Sequence, residues 1–260
     1  MKQRIISGAI VGAITLTAIL IGGAYFNIVV AFICLWGSYE FCSSRNHKVN
    51  IFELIIMSSF VSLLNFFFSK ALGIVLLLIV ALICLAIFDS RVSFDEACID
   101  FVESLILGFA SHYLIEIENE SLWFLGYIVI AAYLTDLFAY FIGNKYGKTK
   151  LNKRISPNKS LEGAIGGWAC GAFVSLLYAT VLNFFNLESS FIIICSLILP
   201  IMSQIGDLSF SLIKRHFNTK DFSKLIPGHG GLLDRLDSLF FVLIVYGGLS
   251  ILIKWKEYYY

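Results

Sequence analysis

Residues 71–88 read ALGIVLLLIVALICLAIF, eighteen positions with no charge and no polar side chain beyond one cysteine thiol. A run of this kind falls within the ~17–25 residues that carry a helix through the hydrocarbon core of a bilayer. Lipid offers no water to bond the backbone N–H and C=O groups, so the segment must satisfy them internally, as a helix. Working outward, apolar runs recur at 5–22, 26–42, 52–69, 104–117, 121–143, 163–183, 189–213 and 238–254, with 104–117 the shortest. No alternating ten-residue barrel strands are visible. The sequence predicts an all-α polytopic integral membrane protein of about nine transmembrane helices.

Composition agrees. Of 260 residues, 58% are hydrophobic and 14% charged, and the mean hydropathy is +0.85. Soluble domains carry about 25% charged residues, so a soluble secreted enzyme and a disordered chain are set aside. The formal net charge of +1 offers no steering of nucleic acid, which is not expected as a partner. Six scattered cysteines with no C-x-x-C pair read as free thiols in apolar surroundings. Lys2 and Arg4 before the first apolar run read as the flank of a retained span rather than a signal peptide. The chain is expected to be a single membrane domain, with N-terminal spans over 1–117 and a second half over 118–260 that carries the polar loops 143–163 and 214–237.

The charges are bunched. Residues 143–163, GNKYGKTKLNKRISPNKSLEG, and 214–237, KRHFNTKDFSKLIPGHGGLLDRLD, hold 11 of the 19 lysines and arginines. The positive-inside rule places both loops in the cytoplasm. Two spans separate them and six precede the first, so the N-terminus is cytoplasmic too. Arg45, Lys48 and Arg91 then fall on the inner side, and Glu118 and Glu120 on the outer.

Carboxylates within spans are costly, by about 2.5–3.5 kcal/mol at a helix centre, and are functional candidates by default. Asp136 lies near the end of the sixth run and Asp207 in the inner half of the eighth, while Asp234 and Asp237 open the ninth. Asp207, Ser211 and Lys214 share a helix face, as do Asp234 and Asp237. Such carboxylates suit Mg²⁺, which takes one or two and fills its other positions with water and phosphate oxygens. An intramembrane salt-bridge network, such as Asp207 with Lys214 or Arg235, is the competing reading. The glycine-rich turn 228–231 precedes a helix start, where backbone N–H groups can cradle an anion. His229, Lys220, Lys224 and Arg235 around it strengthen a phosphate reading. Pro200 is expected to kink the eighth span and open space beside Asp207.

Residues 211–237, SLIKRHFNTKDFSKLIPGHGGLLDRLD, resemble the signature of phosphatidate cytidylyltransferases, also called CDP-diacylglycerol synthases: S-x-x-K-R, four residues, K-D, a small residue, P-x-H-G-G and D-R-x-D. Upstream, Asp136, Ala139, Tyr140, Gly143, Gly147, Lys148 and the Ile155–Pro157, Lys159, Glu162 and Gly163 positions match the family's second pattern. Leu137, Phe138, Asn144, Asn158 and Ser160 depart from it. The resemblance implies a membrane enzyme, often dimeric, that joins CTP and phosphatidate to give CDP-diacylglycerol and pyrophosphate with Mg²⁺ as cofactor and room for a second cation. By that likeness Asp207, Asp234 and Asp136 are the expected metal ligands, and Lys214, Asp237 and Ser211 the catalytic group. Lys220, Asp221, His229, Gly230, Gly231, Arg235, Ser156 and Lys159 are the expected substrate contacts. Partners are then CTP, phosphatidate and membrane lipid, with a homodimer in a bacterial inner membrane and the site facing the cytoplasm. A CTP-dependent polyprenol-type lipid kinase and an ion-coupled transporter are the alternative readings.

Overall fold

The computed structural model describes residues 2–45, 49–182, 184, 189–223 and 230–254, with side chains from residue 12 to 253. Among these, nine α-helices follow one another: α1 (Lys2–Ile21), α2 (Gly23–Ser43), α3 (Ile51–Phe66), α4 (Ala71–Phe88), α5 (Phe94–Glu120), α6 (Leu122–Tyr146), α7 (Leu161–Val181), α8 (Ser189–His216) and α9 (Leu233–Lys254). Between α6 and α7 stands an antiparallel pair of strands, β1 (Lys150–Asn152) and β2 (Ser156–Ser160). Among the described residues, seven helical stretches are long and apolar enough to cross a membrane: α2, Phe68–Phe88, α5, α6, α7, α8 and Leu233–Ile253. The chain is an all-α polytopic integral membrane protein in its main architecture. Helix α3, with 16 residues, rises only about 24 Å at 1.5 Å per residue, short of a ~30 Å hydrocarbon core.

The chain divides into two compact units, Met1–Asn119 with His216–Arg235, and Glu120–Arg215 with Leu236–Tyr260. In the first unit α1 packs on α2, α2 on α3 and α3 on α4. Its core is built from Phe26, Val30 and Phe41 of α2, Met57, Phe60 and Leu64 of α3, and Leu107, Ala110 and Ile117 of α5. Asn50 starts α3 by accepting the Phe52 amide at 3.0 Å, and its side-chain NH₂ donates to Asp89 at 2.8 Å. Hydrogen bonds from Arg91, above all from its guanidinium, hold the Asp89 carboxyl well below the usual carboxylate range.

One expectation is corrected here. The fifth apolar run is not a short helix, because α5 spans 27 residues. Its acidic residues lower the hydropathy of the N-terminal half, yet Asp100 and Glu103 are fully buried. Arg45 is only 5% exposed. It pairs with Glu53 at 2.6 Å and with Asp100, and its guanidinium lies over the Phe41 and Phe217 rings. The pairing of Arg45 with Asp100, which hydropathy averaging does not register, accounts for the burial of these two.

In the second unit α6 and α7 lie in backbone contact. A Cβ at Gly163 would fall 2.7 Å from the Ala139 carbonyl oxygen, and one at Gly167 would fall 2.6 Å from the Ala139 Cβ and 2.8 Å from the Thr135 carbonyl. Gly171 continues the same row against Thr135 and Pro200. Glycines at i, i+4 and i+8 form the small-residue stripe that lets two membrane helices approach closely. Pro200 is buried within α8. Gly206 brings α8 against α9, since a Cβ there would meet the Asp237 carbonyl oxygen at 2.7 Å. Buried hydroxyls satisfy themselves on neighbouring helices: Ser203 donates to the Ala132 carbonyl at 3.0 Å, and Tyr127 bonds Ser196 at 2.7 Å.

Candidate active site

The basic segment after α6 folds as a hairpin, which the sequence reading took as loop. Asn152 Oδ1 accepts the amides of Arg154 and Ile155, turning the chain between β1 and β2. The Glu162 carboxylate accepts the Lys148 and Thr149 amides at 3.1 Å, and the Ser160 hydroxyl accepts the Gly163 amide at 3.2 Å to cap α7. Arg215 Nε donates to the Ile155 carbonyl, joining the end of α8 to the turn. These bonds fix Asn158, Lys159 and Ser160 on one short strand beside the glycine-lined crossing of α6 and α7.

That crossing walls a cavity of about 550 Å³. Asp136, Tyr140 and Asn144 of α6 line it, with Asn158 and Lys159 of β2, and Gln204 and Asp207 of α8. Lys159 Nζ stands 2.5 Å from Asp207 Oδ2, and Ser211 lies one turn on, its hydroxyl 3.4 Å from Asp207 Oδ1. Ser238 donates to Asp136 Oδ2 at 2.6 Å. Asp237 and Lys214 are each 8% exposed; Asp237 Oδ1 accepts the amide of Ser238 at 2.8 Å, the residue whose hydroxyl reaches Asp136, and Lys214 follows Ser211 by three residues on α8. The second unit therefore brings together Asp136, Lys159, Asp207, Ser211, Lys214 and Asp237. Ser156, at the start of β2, is half-buried. The cavity-lining amides of Asn144, Asn158 and Gln204 were not among the expected site residues; the signal for the first two was their place in the upstream motif, and for Gln204 its position three residues before Asp207 on α8.

The remaining expected residues belong to the first unit. Lys220, Asp221 and Arg235 are exposed. Gly230 has φ +87°, a conformation that L side chains rarely adopt. The Gly231 amide, expected to face phosphate, donates instead to Asp234 Oδ2 at 2.8 Å, and the same oxygen accepts the Phe222 amide at 3.0 Å. The next two amides, of Leu232 and Leu233, both donate at 2.9 Å to the carboxylate of Glu40. Glu40 is fully buried on α2, and it also accepts Ser223 Oγ at 2.5 Å and Trp36 Nε1 at 3.1 Å. A carboxylate at a helix N-terminus meets unpaired donors and the positive end of the dipole. In this structure the anion beside the glycine turn is the protein's own. Sequence reading missed Glu40 because it sits alone in an apolar run 183 residues before Ser223. His229 and Lys224 lie outside the described residues.

Among the described residues no group of three or more His, Cys, Asp or Glu side chains is placed to hold a metal ion unaided. Mg²⁺ does not require one, since one or two carboxylates suffice when water and phosphate complete the shell. Asp136 of α6 and Asp207 of α8, which line one cavity, fit that requirement.

Helices of membrane length around a cavity of carboxylate, ammonium and amide groups define a membrane protein that handles a charged ligand. The profile of the cytidylyltransferase family matches residues 2–251, and the chain belongs to that family. It is 30% identical over 256 residues to a phosphatidate cytidylyltransferase of Bacillus subtilis, covering 94% of this chain and 95% of that protein. It is 40% identical over 154 residues to the phosphatidate cytidylyltransferases of Staphylococcus saprophyticus and Staphylococcus aureus, covering 59% of each chain.

Proposed function

We infer that the protein is a nucleotidyltransferase of phospholipid biosynthesis that transfers CMP from CTP to phosphatidate. The products are CDP-diacylglycerol and pyrophosphate. The observation that carries this reading is the Lys159–Asp207 wall of a polar cavity set among membrane-length helices, in a chain that matches a phosphatidate cytidylyltransferase end to end.

In the reaction a phosphatidate oxygen attacks the α-phosphorus of CTP. The bond from that phosphorus to the bridging oxygen breaks, and pyrophosphate leaves with the electron pair. The attacking phosphate is already anionic near neutral pH, so a strong general base is not required. The obstacle is the meeting of two polyanions and the charge that builds on the leaving group, which fixed cations relieve. Lys159 and Lys214 supply two ammonium groups in the second unit. A phosphate entering the cavity competes with Asp207 for Lys159, exchanging one anionic partner for another. Ser211 and Asp237 complete the catalytic group, with Ser156 beside the lipid phosphate. In the first unit Lys220, Asp221, Gly230 and Arg235 are the proposed substrate contacts. Mg²⁺ would be held by Asp207 and Asp136, where it would neutralise phosphate charge. Asp234 is a ligand candidate on its place in the D-R-x-D motif.

The bunched cations of 143–163 and 214–237 support a cytoplasmic site in a bacterial inner membrane, within a nine-span topology. A homodimer is proposed on the family likeness, to be tested by cross-linking in native membranes. The function is tested by pyrophosphate release from purified protein with phosphatidate, Mg²⁺ and CTP, with ATP as the control nucleotide. Release that needs both substrates, with CDP-diacylglycerol on a lipid plate, is the expected result. CDP released onto a lipid alcohol would replace this reading by the kinase, and solute flux without CTP consumption by the transporter.

A further inference from the structure

A second cavity, of about 280 Å³, adjoins the polar one. Ile165 and Trp168 of α7 and Ile201, Ile205 and Leu208 of α8 line it, all apolar. The α8 residues recur at i, i+4 and i+7, so one face of that helix forms the floor. Leu151, Ala164 and Gln204 border both cavities. Gln204 is held in place by donating to the Ala164 carbonyl at 3.0 Å, and Trp168 by donating to the Leu197 carbonyl at 2.9 Å. Thus the lining changes from charged in the first cavity to apolar in the second across Leu151, Ala164 and Gln204, which belong to both. Ile165, Ile201 and Ile205 are exposed along the outer side of the second cavity, where the two helices have membrane-crossing length.

We propose that this groove seats one acyl chain of the lipid substrate and so sets the depth at which its phosphate reaches Lys159 and Asp207. The proposal rests on the phosphatidate reading above and adds the residues that read the chain. Charge complementarity chooses the occupant: a phosphomonoester fits the Lys159 side, and a hydrocarbon chain joined to it through glycerol fits the Ile205 side. A soluble nucleotide has no part that matches the second cavity. Leaving bilayer hydrocarbon for an apolar groove yields little transfer free energy, because lipid tails are as apolar as leucine. The groove therefore acts by position and shape rather than by affinity, and its signature is discrimination among chains.

The experiment measures kcat/KM in mixed micelles with dioleoyl phosphatidate and with dihexanoyl phosphatidate, whose chains are too short to fill the groove. Ile205→Trp fills the floor, and Leu177→Trp, on the exposed face of α7 away from the groove, serves as control. The expected result is a fall of about tenfold in the dioleoyl-to-dihexanoyl ratio for Ile205→Trp, the scale of an overpacked site, and an unchanged ratio for Leu177→Trp. An unchanged ratio in Ile205→Trp overturns the proposal and leaves the groove to bulk lipid. Should that variant fail to fold, a photoreactive benzoylphenylalanine at position 201 replaces it. Cross-linking of radiolabelled phosphatidate there, competed by excess phosphatidate but not by phosphatidylcholine, supports the proposal, and equal competition by both overturns it. Wild-type protein inactive on both acceptors would instead refute the enzymatic reading itself.

Discussion

Glu40 should decide how firmly Ser223 and the start of α9 are held, and the structure permits an estimate of how strongly. Its carboxylate accepts four hydrogen bonds, from the amides of Leu232 and Leu233, the Ser223 hydroxyl and the Trp36 indole. Only the Leu233 bond is fully buried; the other three are partly buried, so water can replace the acceptor there. Stranding one buried donor costs about 1–3 kcal/mol, and each of three rehydrated bonds about 0.5–1.5 kcal/mol. Glu40→Ala should thus lose roughly 2.5–7.5 kcal/mol, a large share of a typical ~5–15 kcal/mol stability. Glu40→Gln keeps an oxygen at the Oε1 position, which serves three donors, and loses the Leu233 bond at Oε2, for about 1–3 kcal/mol. Thermal unfolding in detergent should place Glu40→Ala below Glu40→Gln, and both below the wild type. Limited proteolysis should find new cleavage within 216–235 in the alanine variant. Pyrophosphate release should fall in the same order. A Glu40→Ala protein with wild-type unfolding temperature and wild-type proteolysis would refute the assignment of this carboxylate as the anchor of the turn.

Other consequences are equally direct. Asp207→Asn, which keeps shape but removes the charge facing Lys159, should lower turnover by more than about 10³-fold with an unchanged unfolding temperature; full activity would remove Asp207 from the site. Chelation of divalent cations should abolish pyrophosphate release, and Mg²⁺ should restore it, whereas activity persisting in chelator would exclude the metal from the reaction. Gly167→Leu forces a side chain into the Ala139 and Thr135 backbone of α6 and should cost more than the ~1–3 kcal/mol usual for overpacking. Gly73→Leu, at a position with open space around its Cα, is its control and should unfold with the wild type.

Much of the helical layout could be read from the sequence, because uninterrupted apolar runs such as 71–88 admit no other backbone in lipid. The reading weakened where charge enters a helix. Hydropathy placed the fifth run at 104–117, yet α5 begins at Phe94, since Asp100 is paired with Arg45 from the bend after α2 and that partner is invisible to a local average. The β1–β2 hairpin was missed for a related reason. Its strands hold three and five residues, too few for a period-two signal, and side-chain bonds from Asn152 and Glu162 specify it. The glycine row 163, 167 and 171 was present in the sequence, but its meaning lay in spacing rather than hydropathy.

The candidate site shows why an intramembrane carboxylate is a weak signal alone and a strong one in context. Glu40, Asp100 and Asp207 all lie in stretches of membrane-crossing length. Glu40 faces four donors of the protein, and Asp100 faces a buried guanidinium, so neither charge is directed at a ligand. Asp207 faces a cavity of about 550 Å³, and its partner Lys159 rides on an exposed hairpin rather than in the core. At roughly a quarter to a third exposed, that pair is screened by water and contributes modestly to folding. Charges that add little stability yet sit in a membrane helix beside open space are costly unless a ligand uses them. The distinction lies in what each carboxylate faces. Composition and spacing singled out Asp136, Asp207, Asp234 and Asp237, whereas only the packing of α6, α7 and α8 around the hairpin shows that Asp136 and Asp207 line the cavity.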